Sequence, residues 1–181
     1  MLRSGEVIGL FSGSAESGRR ALGHRSIIAD PTVPGMKDRI NAQIKHREWF
    51  RPFAPMVLAE HVSEWFDCDP DLKSPYMSIA VPVREAVRDR IPAVVHLDGT
   101  ARVQTVHREL TPGLHALLTQ WHAMTGIPLL LNTSFNDREP IVESPADALN
   151  TLRRTPLYGI YFADFEISAL NGAMSSSAAP G

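Results

Sequence analysis

The run "TPGLHALLTQWHAMTGIPLLLNTSFN", Thr111–Asn136, constrains the fold more than any other part of the chain. Leu114, Leu117, Leu118 and Trp121 recur at the spacing of one helical face. Thr111 suits an N-cap and Pro112 the first helical position, while Gly126 suits the stop. The apolar run that follows, "IPLLLN" (Ile127–Asn132), is far too short to cross a membrane and reads as a buried strand. A helix that feeds straight into a buried strand, which then opens into the polar loop "NTSFNDRE", is a building block of α/β proteins.

The remaining segments extend that alternation. "EVIGLF" (Glu6–Phe11) reads as a strand closed by the small, polar "SGSAESG", which is either a surface connection or a flexible loop over a ligand. In "PGMKDRINAQIK" the apolar residues Met36, Ile40 and Ile44 form one helical stripe, leaving Arg39 and Lys45 off it. Arg51-Pro52 stops helix, and "FAPMVLA" continues extended. "PAVVHLDGTARVQTV" (Pro92–Val106) has two β-rich runs around Asp98-Gly99, which predicts a hairpin with Arg102 and Gln104 on one face of its second strand. "SPADALNTLRR" predicts a helix capped by Ser144 with Asp147 three residues on. "YGIYFADFEIS" supplies a last strand, and the tail from Asn171 to Gly181 has the composition of disorder. The expected architecture is one domain over residues 1–170, α/β or α+β, with a twisted mixed sheet and flanking helices.

Charge is distributed unevenly along the chain. There are 18 Lys and Arg against 20 Asp and Glu. Yet the stretch Arg19–Arg51 holds eight basic residues against three acidic ones, among Leu22, Ile27, Ile28, Trp49 and Phe50, with Phe53 just beyond it. Such a segment is either a solvated positive face or the wall of an anion site, since arginine matches phosphate oxygens bidentately. Arg20, Arg25 and Arg51 sit in apolar contexts that read as buried, where a cation needs a partner. A polar loop after a buried strand is a frequent place for ligand contacts, which brings in Asn132, Thr133, Ser134 and Asn136.

Several function classes find no support. No P-loop, dinucleotide fingerprint, H-E-x-x-H or paired-cysteine zinc pattern occurs, and nothing resembles a nucleophile elbow. No metal held by side chains of this chain is expected. The single Cys68 excludes an internal disulfide and fits a reducing, cytoplasmic compartment. A pI near 6.4 argues against nucleic acid, and no segment suits a membrane.

Taken in order, "GRRALGHRSIIADP", "NAQIKHREWFRPFAP", "SPYM", "HLDGTARVQTV", "TGIPLLLNTSFN" and "EPIVESPADAL" resemble the C-terminal domain of the O-carbamoyltransferases, the nodulation-factor, cephamycin and aminoglycoside type. The resemblance implies a YrdC/Sua-like sheet around a nucleotide-binding cavity. It implies use of ATP, with Mg²⁺, and carbamoyl phosphate to make carbamoyl adenylate, as in antibiotic biosynthesis. The actin-like, metal-binding domain that transfers the carbamoyl group to a hydroxyl is expected as a separate partner. By motif, Lys45, Arg51 and Arg20 are expected to be catalytic. Arg102, Ser134 and Asn136 are expected to bind substrate or ATP, with Thr133 beside them. Arg25, Arg47 and Asn132 stand equally between that role and a structural one. The alternatives are a non-catalytic nucleotide-binding partner subunit, or synthesis of another acyl or threonylcarbamoyl adenylate for tRNA. The chain departs from the family pattern at Ser14, Ser17, Arg19 and His24, and lacks a glycine after "NTSFN".

Overall fold

The computed structural model describes the chain apart from Arg19 and residues 163–164, 171–172 and 179–181, and gives the backbone alone for residues 165–170 and 173–178. The strands are β1 (Ile8–Phe11), β2 (Arg25–Ala29), β3 (Ala54–Leu58), β4 (Ile79–Pro82), β5 (Thr100–Val106), β6 (Leu129–Ser134), β7 (Gly159–Phe162), β8 (Phe165–Leu170) and β9 (Ala173–Ala178). The helices are α1 (Met36–Arg39), α2 (Val62–Trp65), α3 (Glu85–Arg88), α4 (Pro112–Thr125) and α5 (Pro145–Arg154). The fold is mixed α/β, as the alternation predicts. None of the described helices is long and apolar enough to cross a membrane.

The chain divides into two compact units. The first comprises Met1–Asp30, Asp38–Arg51 and Thr133–Gly181; the second comprises Pro31–Lys37 and Pro52–Asn132. In the first unit β1 lies antiparallel to β2 and parallel to β7, with Ile8 opposite Ile28 on one side and Gly159 on the other. Ile27, Ile28, Ile40, Ile44, Phe135 and Ile160 are fully or almost fully buried and form its core. Gly9 on β1 has a packing reason: a Cβ there would lie 2.6 Å from the Phe135 ring. α5 starts as expected, with the Ser144 hydroxyl accepting from Asp147 N–H and the Asp147 carboxylate accepting from Ser144 N–H.

In the second unit β5 is the hub, antiparallel to β4 and parallel to β3, and β3 pairs antiparallel with β6. α4 runs from Pro112 and stops at Gly126, whose φ of 72° places it in the left-handed region. Leu114, Leu118 and Trp121 are its buried stripe. Thr111 stands at the N-cap without a side-chain capping bond.

Two expectations are corrected. The hairpin around Asp98-Gly99 does not form, because Pro92–Val94 is a 3-10 turn and both edges of β5 are already taken by β3 and β4. The turn itself survives: Asp98 accepts from the Thr100 N–H and hydroxyl, and His96 N–H donates to Thr100 C=O. "YGIYFADFEIS" contributes two strands, β7 and β8, rather than one. Within the tail from Asn171, β9 pairs antiparallel with β8, and residues 171–172 and 179–181 lie outside the described residues.

The helical stripe was legible, its geometry was not. α1 passes directly into a π-turn over Ile40–Ile44, closed by Lys45 N–H donating to Ile40 C=O at 2.9 Å. Met36, Ile40 and Ile44 are all buried, as their spacing predicts. Wider π-turns occur often at functional sites, and this one delivers Lys45.

Candidate functional site

Lys45 leaves the π-turn at a point where nearby groups are oxygen atoms. Its Nζ donates to Asn136 Oδ1 at 2.6 Å, Asn136 O at 2.7 Å, Ser134 O at 2.9 Å and Ser134 Oγ at 3.2 Å. The side chain is buried, with 6% of the residue exposed. Burial pulls its pKa down, helped by Arg47 and Arg51, while Asp137 and Glu139 pull it back up; the outcome is about 7. Around neutral pH, then, this ammonium is poised to lose its proton or to gain an anionic partner that would keep it charged.

The oxygen ligands are themselves held in place. Ser134 Oγ donates to Asn136 Oδ1 at 2.8 Å, and Asn136 Nδ2 donates to Glu139 O at 2.6 Å. Between them Phe135 is fully buried, and its backbone bonds Arg25 C=O and Val142 N–H. The ring that fits against Gly9 therefore anchors the loop that meets Lys45.

On the other side of Lys45 the backbone turns sharply. His46 has φ of 44°, a left-handed conformation rare outside glycine, and its Nε2 lies 3.9 Å from Asp137 Oδ1. Arg47 Nε donates to Asn41 Oδ1 at 2.7 Å. Ala42, His46, Arg47 and Glu48 line a shallow depression open to solvent beside it.

The other expected residues have different surroundings. Arg25 is buried: Nη1 donates to Ser12 C=O and His24 C=O, Nη2 to Gly13 C=O, the guanidinium lies 3.6 Å over the Phe11 ring, and the Glu16 and Glu143 carboxylates act on its charge. These bonds tie it to the Ser12–Gly13 loop. Arg51 is not enclosed by its aromatic and proline neighbours. Half its side chain is exposed and its ion pair with Glu48 is a loose 3.9 Å, because Trp49 and Phe50 beside it also face solvent. Arg20 and Thr133 are half-buried. Arg102 and Asn132 belong to the second unit, where Asn132 Nδ2 donates to Gln104 Oε1 at 2.8 Å. The departure at Arg19 lies outside the described residues.

Sequence reading missed three residues that shape this unit. Glu16 Oε1 accepts from both Leu22 N–H and His24 N–H at 2.7 Å, tying Glu16 to the segment that leads into β2. Asn41 is buried and bonds the loop after Lys45. Gly9 makes room for Phe135. The signal for Glu16 was its position as the lone carboxylate in a run otherwise of Ser, Gly and Ala, which leaves many backbone N–H groups within its reach.

Comparison with known proteins fits this framework. The family model described as "Carbamoyltransferase C-terminus" matches residues 1–168. The chain belongs to that carbamoyltransferase family. It is 48% identical over 169 residues to nodulation protein NolNO of Sinorhizobium fredii, covering 92% of this chain and 25% of that protein. It is 46% identical over 166 residues to nodulation protein NolO of Bradyrhizobium diazoefficiens, covering 91% and 30%. The chain thus spans between a quarter and a third of these relatives' lengths. In fold it is similar to part of full-length HypF, solved in a phosphate- and nucleotide-bound form, with a TM-score of 0.53 and 15% identity over 92% of this chain and 22% of that one.

Proposed function

We propose that this chain binds ATP and carbamoyl phosphate at the Lys45 cluster and makes carbamoyl adenylate. The carbamoyl group then passes to the hydroxyl of an acceptor, such as a natural product, on a partner transferase domain. The observation that carries this reading is the buried Lys45 ammonium among Ser134 and Asn136, with Arg47 and Arg51 close enough to act on its charge. Membership in the carbamoyltransferase family and a fold shared with a nucleotide-bound protein support it.

The chemistry asks two things of the chain. Hydrolysis of carbamoyl phosphate releases phosphate and leaves carbamate. A carbamate oxygen then attacks the α-phosphorus of ATP; the new P–O bond forms as the bridging α–β bond breaks, and pyrophosphate leaves with the electron pair. Both steps concentrate negative charge. Lys45 would neutralise it as a point charge and Arg47 as a planar fork, with Mg²⁺ arriving on the phosphate oxygens. Ser134 and Asn136 would exchange their bonds to Lys45 for bonds to the substrate.

The test is pyrophosphate release by the purified chain with Mg-ATP, with and without carbamoyl phosphate. Release that requires carbamoyl phosphate is expected. Lys45→Ala should lower it at least ~100-fold, the usual loss for a charge-stabilising group, with the fold intact by circular dichroism. Arg51→Ala, at an exposed position, should cost only about fivefold through the field at Lys45. Lys45→Ala turning over at the wild-type rate would sink the assignment.

A further inference from the structure

The segment after Lys45 is fixed to a degree unusual for a surface loop, and one buried side chain does the fixing. Asn41 is 1% exposed. Its Nδ2 donates to Trp49 C=O at 3.3 Å and Arg51 C=O at 3.0 Å, and its Oδ1 accepts from Arg47 Nε. Its own C=O accepts from Arg47 N–H at 3.0 Å, and Arg51 N–H donates to Glu48 C=O at 3.2 Å. The ordering entropy of residues 47–51 is therefore lost on folding rather than on binding.

That rigid loop points two aromatic rings at solvent. Trp49 is 65% exposed and Phe50 51%, and they meet edge to face with centroids 6.1 Å apart. The chain's other tryptophans, Trp65 and Trp121, are only 4% and 2% exposed, in keeping with tryptophan's high average burial. A pre-ordered pair of large rings flanked by arginine has the composition and rigidity of an interface hot spot, not of a solvated turn.

We propose that Trp49 and Phe50 are the anchor by which this domain docks onto further polypeptide, of the kind its relatives carry outside the matched region. That polypeptide makes up 70–75% of NolO and NolNO, the complement of the 30% and 25% covered here. The fitting surface is an apolar cleft for the two rings with a carboxylate on its rim to meet the exposed Arg51. This goes beyond the adenylate reading and does not depend on it: the anchor would act whether or not the domain turns over ATP.

The experiment co-expresses this chain with the tagged segment of NolO that lies outside the match. The chain carries 5-fluorotryptophan, so Trp49, Trp65 and Trp121 each give a ¹⁹F resonance, assigned by substitution. Co-purification is expected, with the Trp49 resonance shifted and the two buried ones unmoved. Trp49→Ser and Phe50→Ser should each weaken retention at least about tenfold while leaving the thermal midpoint and any ATP binding of the chain unchanged. Absence of a complex with the wild-type chain overturns the proposal, as does equal retention of the doubly substituted chain. A Trp49 shift on raising the concentration of the chain alone also overturns it, by assigning the face to a second copy.

Discussion

Lys45 carries opposing demands: four oxygens within 3.2 Å favour its ammonium, and burial among arginines opposes it. The consequence is measurable in stability. The folded pKa is about 7 against an ordinary 10.5. Below pH 7 both folded and unfolded chains carry the proton. Between 7 and 10.5 only the unfolded chain does, so stability gains from this residue as pH rises, by at most about 1.4 kcal/mol per unit. Urea denaturation at pH 6 to 9 should therefore show the wild type gaining on Lys45→Met only above pH 7. A second residue-scale test concerns Gly9. Its missing side chain admits the fully buried Phe135, so Gly9→Ala should cost about 1–3 kcal/mol by overpacking. It should also loosen Ser134 and Asn136, read as weaker ATP binding. Single residues were the least legible level of the sequence. Lys45 stood out as a cation off an apolar stripe, and Ser134 and Asn136 as a polar loop, but only the family motifs linked them. Nothing local distinguished enclosed Arg25 from exposed Arg51, because exposure depends on what the rest of the chain places over each.

Helices and strands were read more reliably where the signals were local. α5 has a capping box written in sequence, Ser144 and Asp147 around Pro145, and it forms as written. Ser144→Ala should destabilise by about 1 kcal/mol in urea without changing pyrophosphate release, since the cap lies on an exposed helix end. α4 and β6 were equally plain, with the stripe, the glycine stop and the apolar run each decided by neighbours in sequence. The Asp98-Gly99 hairpin shows where that reasoning ends. The turn chemistry was correct, yet strands compete for edges, and β3 and β4 hold both sides of β5. The π-turn was invisible for a related reason: Met36, Ile40 and Ile44 share a face whether the ladder closes over four residues or five.

At the scale of the whole molecule, charge is the property to test. A chain of formal net charge −2 gathers eight cations between Arg19 and Arg51. ATP affinity should fall severalfold between 50 and 500 mM salt as the exposed contributors such as Arg51 are screened, by titration calorimetry; the buried Lys45 should be screened far less. The fold class was legible from the alternation of elements, whereas the division into two units was not. The first unit is assembled from three separate stretches, and Lys45 meets partners 89 and 91 residues further along. That separation sets an order of events on the ribosome. At roughly 5–20 residues per second, about 5–18 s pass between synthesis of Lys45 and synthesis of Asn136. For that interval the nascent chain carries an ordinary, hydrated lysine, and the oxygen cluster that encloses it comes into being only after Asn136 has been made.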